Sequence, residues 1–346
     1  MKETSVHSST QNRVLVSTLA ATLTMLTLAP AARGADGVLE IDQSCVPVGC
    51  FPGDAPGFPV EITAPGSYLL TSNLTAQDGA TTAITIGADD VVLDLGGFQV
   101  SGPVTCSGLP FPIVCAGGSG GSGIVATIGA GVVVRNGSVR GFGGSEASGC
   151  VVFVSARGTV EDLSVSNCAG DGIRLPNLGT VRRSQVRDVL ADGIAIASGV
   201  ATENAVESVG GRGIFVHSFA SLVGNMIRLT GDSGIEVGFG TVTANSISTA
   251  GGMGFAPGIT CFRCTVAQNT VDNIVGTGIR VDAAGTLTDN QISGCASWGI
   301  DAGVGASVGY GGNVLTGNNS GSAQVGGGGI PLEIYTNVCE GDTTCP

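Results

Sequence analysis

The segment GTVEDLSVSNCAGDGIRLPNLGTVRRSQVRDVLADGIAI, residues 158–196, decides the fold because its pattern continues to residue 302. Each unit ends on a Gly-Ile pair, and these pairs begin at Gly172, Gly193, Gly213, Gly234, Gly258, Gly278 and Gly299. Successive pairs are 20 to 24 residues apart. A repeat of this length predicts a solenoid, in which each unit packs on its neighbours.

Superimposing the units places apolar residues in three columns. The first column contains Val160, Val181, Leu222, Val242, Val266, Leu287 and Val308. The second contains Val165, Val186, Val206, Ile227, Ile247, Val271 and Ile292, and the third contains the Ile of each Gly-Ile pair. A coil of three short strands that turns these residues towards a common interior satisfies all three columns. We therefore predict an all-β, single-domain parallel solenoid of roughly 10 coils.

A polar column lies between the first two apolar columns. It contains Asn136, Asn204, Asn225, Asn245, Asn269 and Asn290 and is interrupted at Leu163 and Ser184. Asn tolerates left-handed backbone, and its amide can bond to the same amide in the next coil. We interpret this column as a structural ladder at one corner of the coil rather than a row of ligand-binding amides.

Composition limits the possible partners. The full chain has a net charge of −13, with Gly as a frequent residue and only 4% aromatic residues. Beyond residue 34 it contains no Lys, and its one His is His217. Such an acidic chain should repel nucleic acid, so we expect no nucleic-acid partner and a monomer in solution.

Residues 1–34 have the pattern of a secretory signal peptide. Lys2 and Arg13 precede the apolar run from Val14 to Ala29, and small residues follow it. The run is short for a membrane-spanning helix. We therefore predict a protein secreted to the periplasm or the extracellular space, with no membrane span after cleavage.

The chain has 11 Cys, and in an exported protein disulfides are the default. Proximity in the sequence favours three pairs: Cys45 with Cys50, Cys106 with Cys115, and Cys339 with Cys345. Cys261 and Cys264 form a single Cys-x-x-Cys motif, for which we favour a structural role over metal or redox chemistry because a second such motif is missing. The odd count leaves at least one thiol.

The domain boundaries follow from the repeat. Residues 35–82 predict an N-terminal cap, because an open solenoid end exposes core and strand edges. Residues 83–325 predict the solenoid, and 326–346 a C-terminal cap or tail with its disulfide.

Two segments resemble a known family. The runs LDLGGFQVSG, residues 93–102, and RNGSV, residues 135–139, together with the coil and the Asn column, resemble right-handed parallel β-helices of the pectin-lyase-like fold over residues 60–325. That family includes pectate lyases, polygalacturonases, alginate epimerases and NosD-type periplasmic proteins. Asp89-Asp90 is the only fragment of the polygalacturonase pattern present, so the resemblance argues against that hydrolase. A fold shared so widely does not fix a function.

Strand alternation places two clusters of ionisable residues on the outer face of the Gly-Ile strands. One contains Arg212, His217, Asp232 and Glu236, and the other contains Arg280, Asp282 and Asp301. Each combines a potential base with carboxylates, although exposed ion pairs on a protein surface are common and contribute little. Phe215 and Trp298 are the aromatic residues near them, few for a long oligosaccharide groove.

Three insertions, at about residues 102–122, 142–148 and 251–257, precede a Gly-Ile pair or its equivalent and should leave one corner of the coil. We expect the longest, with Phe111 near its tip, to pack on an outer strand face formed by Val125, Thr127, Val151 and Phe153.

These features give three hypotheses for function. The first is a secreted β-helix scaffold or binding protein, without catalysis, whose partner is a polysaccharide or a cell-surface glycan. The second, drawn from the resemblance, is a carbohydrate-active enzyme, a Ca²⁺-assisted lyase or epimerase that uses Arg280 or Arg212 as base and Asp282 and Asp301 as metal ligands. Metal handling of the NosD type is weaker, because one His and four Met supply few soft ligands.

Overall fold

The computed structural model describes residues 37–108, 112–144, 148–340 and Cys345. The predicted signal peptide and Phe111 lie outside these residues. Residues Gly34–Pro346 form one compact unit. Among the described residues, no helix is long and apolar enough to cross a membrane.

The chain winds into a right-handed β-solenoid of about 12 turns. Each full turn runs through three parallel sheets, A, B and C, and every strand pairs with the equivalent strands of the neighbouring turns. The count exceeds the expected 10 coils because strands before residue 83 and after residue 325 join the same sheets, for example Val38–Ile41 with Gly66–Leu70.

Sheet A carries the Gly-Ile pairs. Its strands are Val60–Ile62, Ile84–Ile86, Ile124–Ala126, Gly149–Phe153, the first parts of six long strands (Asp171–Arg182, Ile194–Thr202, Ile214–Val223, Ile235–Thr243, Ile259–Ala267 and Ile279–Thr288), Ile300–Ala302 and Val325–Gly327.

Sheet B follows sheet A in each turn. Its strands are Val38–Ile41, Gly66–Leu70, Val91–Asp94, the first parts of Val132–Arg140 and Gly158–Cys168, the second parts of the six long strands, Ser307–Gly311 and Ile330–Glu333.

Sheet C completes the turn. Its strands are Leu74–Thr75, Gln99–Ser101, the second parts of Val132–Arg140 and Gly158–Cys168, Gln185–Val189, Ala205–Val209, Met226–Thr230, Ser246–Ser248, Thr270–Asp272, Gln291–Ser293, Val314–Thr316 and Val338–Cys339. Outside the three sheets are an antiparallel hairpin of Thr105–Ser107 and Val114–Ala116 and a 3-10 turn at Asn319–Gly321.

The core consists of the predicted apolar columns. The Ile residues of the Gly-Ile pairs align in register from Ile173 to Ile300 and are fully buried. The first column needs two corrections. Ala201 belongs to it, and at its end Leu287 pairs with Tyr310 whereas Val308 pairs with Gly285, because the corner that follows Ala302 is longer than those before it.

The Asn ladder occupies the corner between sheets B and C. It runs through Asn204, Asn225, Asn245, Asn269, Asn290, Asn313 and Asn337, all buried. Each Oδ1 in its interior accepts hydrogen bonds from the main-chain N–H and the side-chain Nδ2 of the preceding Asn, at 2.9 to 3.0 Å.

Asn136 does not belong to the ladder. Gly137, not Asn136, pairs with Leu163, and Asn136 is exposed with a φ of 59°. The left-handed residue at this corner precedes the ladder position, as at Glu203 before Asn204 and Ala244 before Asn245. Asn136 occupies that preceding position. Our superposition of the sequence units was one residue out of register here and therefore placed Asn136 in the ladder.

All eleven Cys lie in the described part of the chain. The three predicted disulfides are present, and two more join Cys150 to Cys168 and Cys261 to Cys264. The remaining thiol is Cys295, which is buried.

The hairpin closed by Cys106 and Cys115 packs elsewhere than expected. The Cys106 N–H donates to Asn167 Oδ1 at 2.9 Å, near the end of a sheet C strand. Val151 and Phe153 are core residues, because Val151 pairs with Ile173 and Phe153 with Ala126. Thus they do not form the outer face on which we expected the loop to pack.

Candidate binding cleft

Three ionisable residues occupy the position directly before the Gly-Ile pair in consecutive turns: Asp171, Asp192 and Arg212. The glycine that follows each is required by packing. A Cβ at Gly193 would lie 2.5 Å from Val206 Cγ1, far inside van der Waals contact. The chain therefore passes close to the core at the glycine, and the preceding residue stands at the corner between sheets C and A.

Arg212 is the centre of an ion-pair network. Its Nε and Nη2 donate to the two carboxylate oxygens of Asp192 at 3.1 and 2.7 Å, and its Nη1 lies 3.3 Å from Glu236 Oε1. The main-chain N–H of Arg212 also donates to Asp192 Oδ1, at 2.8 Å. This forked arrangement fixes the guanidinium plane. The Arg212 side chain is only 24% exposed and that of Asp192 only 13%.

Asp171 is a buried carboxyl of the cleft with a raised pKa. Only 7% of the residue is exposed, and its Oδ1 accepts a hydrogen bond from the Asp192 N–H at 3.1 Å. Burial, together with the negative charge of Asp192, raises the pKa of Asp171 to about 6, although the Asp192 amide and the charges of Arg174 and Arg212 oppose the shift. Asp171 can therefore gain or lose a proton close to neutral pH.

Aromatic rings continue the cleft along the outer face of sheet A. The Arg212 guanidinium lies 3.6 Å from the centre of the Phe215 ring, a cation–π contact. The Phe215 ring meets His217 edge to face at 6.2 Å, and His217 is exposed. Together with Asp171, Arg174 and neighbouring residues these groups line a cleft of about 450 Å³. It combines apolar surface with a few charged groups, the usual character of a small-molecule site.

The cleft includes only part of the first predicted cluster. Arg212 and His217 line it, and Glu236 pairs with Arg212. In the next turn of the solenoid, the residue directly before the Gly-Ile pair is Ser233, and Asp232 lies one residue earlier. Its Oδ1 accepts from the Ser233 N–H at 2.8 Å, and Asp232 borders a separate depression with Met253 and Phe255.

The second predicted cluster forms a separate ion-pair group. Arg280 lies three turns beyond Phe215 in register, donates to Asp282 at 2.7 Å and lies 3.4 Å from Asp301. Burial raises the pKa of Asp301, and the positive charge of Arg280 opposes this.

These residues are a poor fit to Ca²⁺. The ion takes six to eight oxygen ligands, whereas Asp282 and Asp301 already share the Arg280 guanidinium. Within the described ranges, no three His, Cys, Asp or Glu residues come together in a way that could hold a metal.

Asp171, Asp192 and Arg174 are absent from the two predicted clusters. The superposition followed the strand residues after each Gly-Ile pair, and it included Arg174 only as a solitary outward residue. Applied to the residue before the pair, the same superposition places Asp171, Asp192 and Arg212 in one column. Burial, which sets the pKa of Asp171, is not visible in the repeat.

Comparisons with known proteins agree with this architecture. Residues 66–228 match the family described as right handed beta helix region. This match and the three parallel sheets together show the right-handed parallel β-helix fold. No curated protein is detectably similar to it in sequence.

Two solved structures share the fold. The A-module of the Azotobacter vinelandii mannuronan C-5 epimerase AlgE4 has a TM-score of 0.53 and 14% identity, over 79% of this chain and 88% of that chain. The Dettilon tailspike protein (gp208) has a TM-score of 0.57 and 15% identity, over 77% of this chain and 59% of that chain. At such identities the likeness shows the fold alone.

Proposed function

We propose that this protein is an extracytoplasmic β-helix that binds a saccharide in the cleft between Asp171 and His217. The observation that carries the proposal is the composition of the cleft. The buried Asp171 carboxyl and the partly buried Asp192 carboxylate share the cleft with the Phe215 ring and the fixed Arg212 guanidinium over it, so hydroxyl groups and a sugar face could be bound at once. Five disulfides support a location in an oxidising compartment.

The site favours hydroxyl recognition over recognition of an isolated charge. Arg212 is neutralised by Asp192 and Glu236, and Asp171 adds a carboxyl that both donates and accepts when protonated. A neutral sugar also avoids the repulsion that a chain of net charge −13 exerts on polyanions.

Binding to immobilised glycans tests the proposal. A panel of neutral and uronate-containing glycans should retain the wild-type protein on at least one neutral member, and Phe215→Ala should weaken that retention about tenfold. Val304→Ala, at an exposed position outside the cleft, serves as the control. The absence of retention on every glycan would rule the proposal out.

A second candidate function is lyase or epimerase chemistry on a uronate sugar. The observation that favours it is the pKa of about 6 at Asp171, which suits a group that takes and returns a proton at neutral pH. In such a reaction the Asp171 carboxylate would accept the proton from the carbon next to the uronate carboxylate, while Arg174 would bind that carboxylate. In elimination the neighbouring C–O bond to the leaving sugar then breaks and its oxygen takes up a proton; in epimerisation a proton from water adds to the opposite face of the same carbon. The two candidate functions differ in whether the bound sugar is chemically converted.

The absorbance of unsaturated products and the proton exchange of a uronate substrate distinguish the two candidates. Catalysis predicts a signal with the wild-type protein that Asp171→Asn abolishes and Arg280→Ala leaves unchanged. A signal that instead disappears with a chelator and with Arg280→Ala would support the metal-assisted mechanism at the second cluster.

A further inference from the structure

Three phenylalanine rings form an exposed stripe at the corner between sheets A and B. Phe219, Phe239 and Phe262 belong to consecutive turns, and their ring centres are 5.5 and 5.7 Å apart. Phe219 is 71% exposed and Phe262 is 45% exposed. We call these three rings the phenylalanine stripe. Aromatic rings exposed in this way do not contribute to the core, and their exposure costs solubility.

A disulfide fixes the end of the stripe. Cys261 and Cys264 are both buried, with their Cα atoms 6.0 Å apart, so Phe262 and Arg263 between them are directed outward. The Phe262 ring lies edge-on to Phe239, and the Arg263 guanidinium lies 5.8 Å from the Phe262 ring centre. The disulfide therefore holds an aromatic ring and a hydrogen-bond donor at the surface. This is a structural role for the Cys-x-x-Cys motif.

The stripe continues the cleft. His217, at the edge of the cleft, precedes Phe219 by two residues on the same strand. From there the stripe runs along the solenoid axis, one ring per turn, with ring centres 5.5 and 5.7 Å apart. The rise per pyranose of an extended glycan is similar to this spacing, and sugar rings bind aromatic faces through their apolar C–H surfaces.

We propose that the phenylalanine stripe is an extended subsite for a neutral glycan chain that occupies the cleft with one end and lies parallel to the solenoid axis. This inference rests on the saccharide-binding function proposed above and specifies its substrate class as a neutral oligosaccharide longer than the cleft. Arg263 donates hydrogen bonds to hydroxyl groups at the far end of the stripe.

Chain length separates the cleft from the stripe experimentally. Disaccharides and hexasaccharides of the cello-, xylo- and manno-series are titrated calorimetrically into the full protein with its disulfides intact. Disaccharides should bind the cleft alone, and the matching hexasaccharide should bind about tenfold more tightly. The double variant Phe219→Ala/Phe239→Ala should lose this tenfold advantage while its disaccharide affinity stays unchanged.

The control is Phe255→Ala, which removes a still more exposed ring, 85% accessible, in the loop before Gly258, at the edge of sheet A opposite the stripe. It should bind both ligands like the wild-type protein. Far-UV circular dichroism of each variant confirms that the solenoid is intact.

Other outcomes overturn the inference. If disaccharides bind but the hexasaccharide has no advantage, or keeps it in the double variant, the stripe is not a subsite although the proposed function stands. If no saccharide binds, the proposed function fails and the stripe inference fails with it. If sedimentation velocity shows a dimer that the double variant abolishes, the stripe is a contact between copies of this chain.

Discussion

The main-chain N–H of Asp192 donates a hydrogen bond to the side chain of Asp171, its counterpart in the preceding turn, at 3.1 Å. The repeat thus places two carboxylates one turn apart at a partly buried corner, where they repel each other. Arg212, in the following turn, binds Asp192 and leaves Asp171 as the carboxyl with the raised pKa.

Asp171 should make the free energy of unfolding depend on pH. Its folded pKa of about 6 lies above the ordinary aspartate value of 3.8, so the folded state binds the proton more tightly than the unfolded state. The contribution of Asp171 is therefore most favourable below pH 4 and is lost as the pH rises to about 6, a difference of up to about 3 kcal/mol. Asp171→Asn should remove this loss and stabilise the protein at pH 7.

Denaturant unfolding of the wild-type and Asp171→Asn proteins between pH 4 and pH 8 measures this difference. Comparing the two cancels the contribution of carboxyls with lowered pKa values, such as Asp42 and Asp162. A stability difference that does not change across this range would show that Asp171 does not titrate there.

Replacing Arg212 should destabilise the corner. Arg212→Ala leaves the Asp192 carboxylate, 13% exposed, without its forked partner, and we expect a loss of about 2 kcal/mol in the free energy of unfolding. Arg212→Lys should recover only part of this because an ammonium cannot form two parallel hydrogen bonds. Arg187→Ala, which removes an exposed pair with Asp188, should change stability by less than about 0.5 kcal/mol. Equal effects of the two Ala variants would contradict the account.

The Asn ladder should be sensitive to a single substitution. Asn245→Ala removes the acceptor of two buried donors, the main-chain N–H and Nδ2 of Asn225, and we expect a loss of about 3 kcal/mol. Asn136→Gly is the control, since Asn136 is outside the ladder and its φ of 59° suits glycine. Chemical denaturation of both variants provides the comparison. If Asn136→Gly lowered the free energy of unfolding as much as Asn245→Ala, Asn136 would have to be part of the ladder.

Thiol counting tests the cysteine assignment. Cys295 is 1% exposed, and burial raises its pKa to about 12, so the native protein should not react with Ellman's reagent. Denaturation without reductant should release one thiol per chain. More than one would show that at least one of the five disulfides is absent.

The sequence predicts the fold well because a solenoid repeats one set of contacts. A Gly-Ile pair in each turn fixes sheet A, and the alternation that follows it fixes which side chains point inward. Errors arise where turns differ in length. A register difference of one residue places Gly137, not Asn136, at the ladder position. The longer corner after Ala302 moves Val308 out of its column.

The cleft is harder to predict. Arg212, His217 and Glu236 belong to the predicted cluster, but Asp192, the forked partner of Arg212, precedes a Gly-Ile pair and was not aligned. The pKa of Asp171 depends on burial. The phenylalanine stripe is missed for a similar reason. Phe219, Phe239 and Phe262 occupy a corner in which the register shifts, so a strand superposition does not align them.

A crystal structure with the tightest-binding neutral hexasaccharide tests the central claim most directly. The account predicts sugar density beside Phe215 and His217, with hydroxyl groups within hydrogen-bond distance of Asp171 and Arg174. A sugar bound on any other face, or an empty cleft at a ligand concentration that saturates binding in solution, would contradict it.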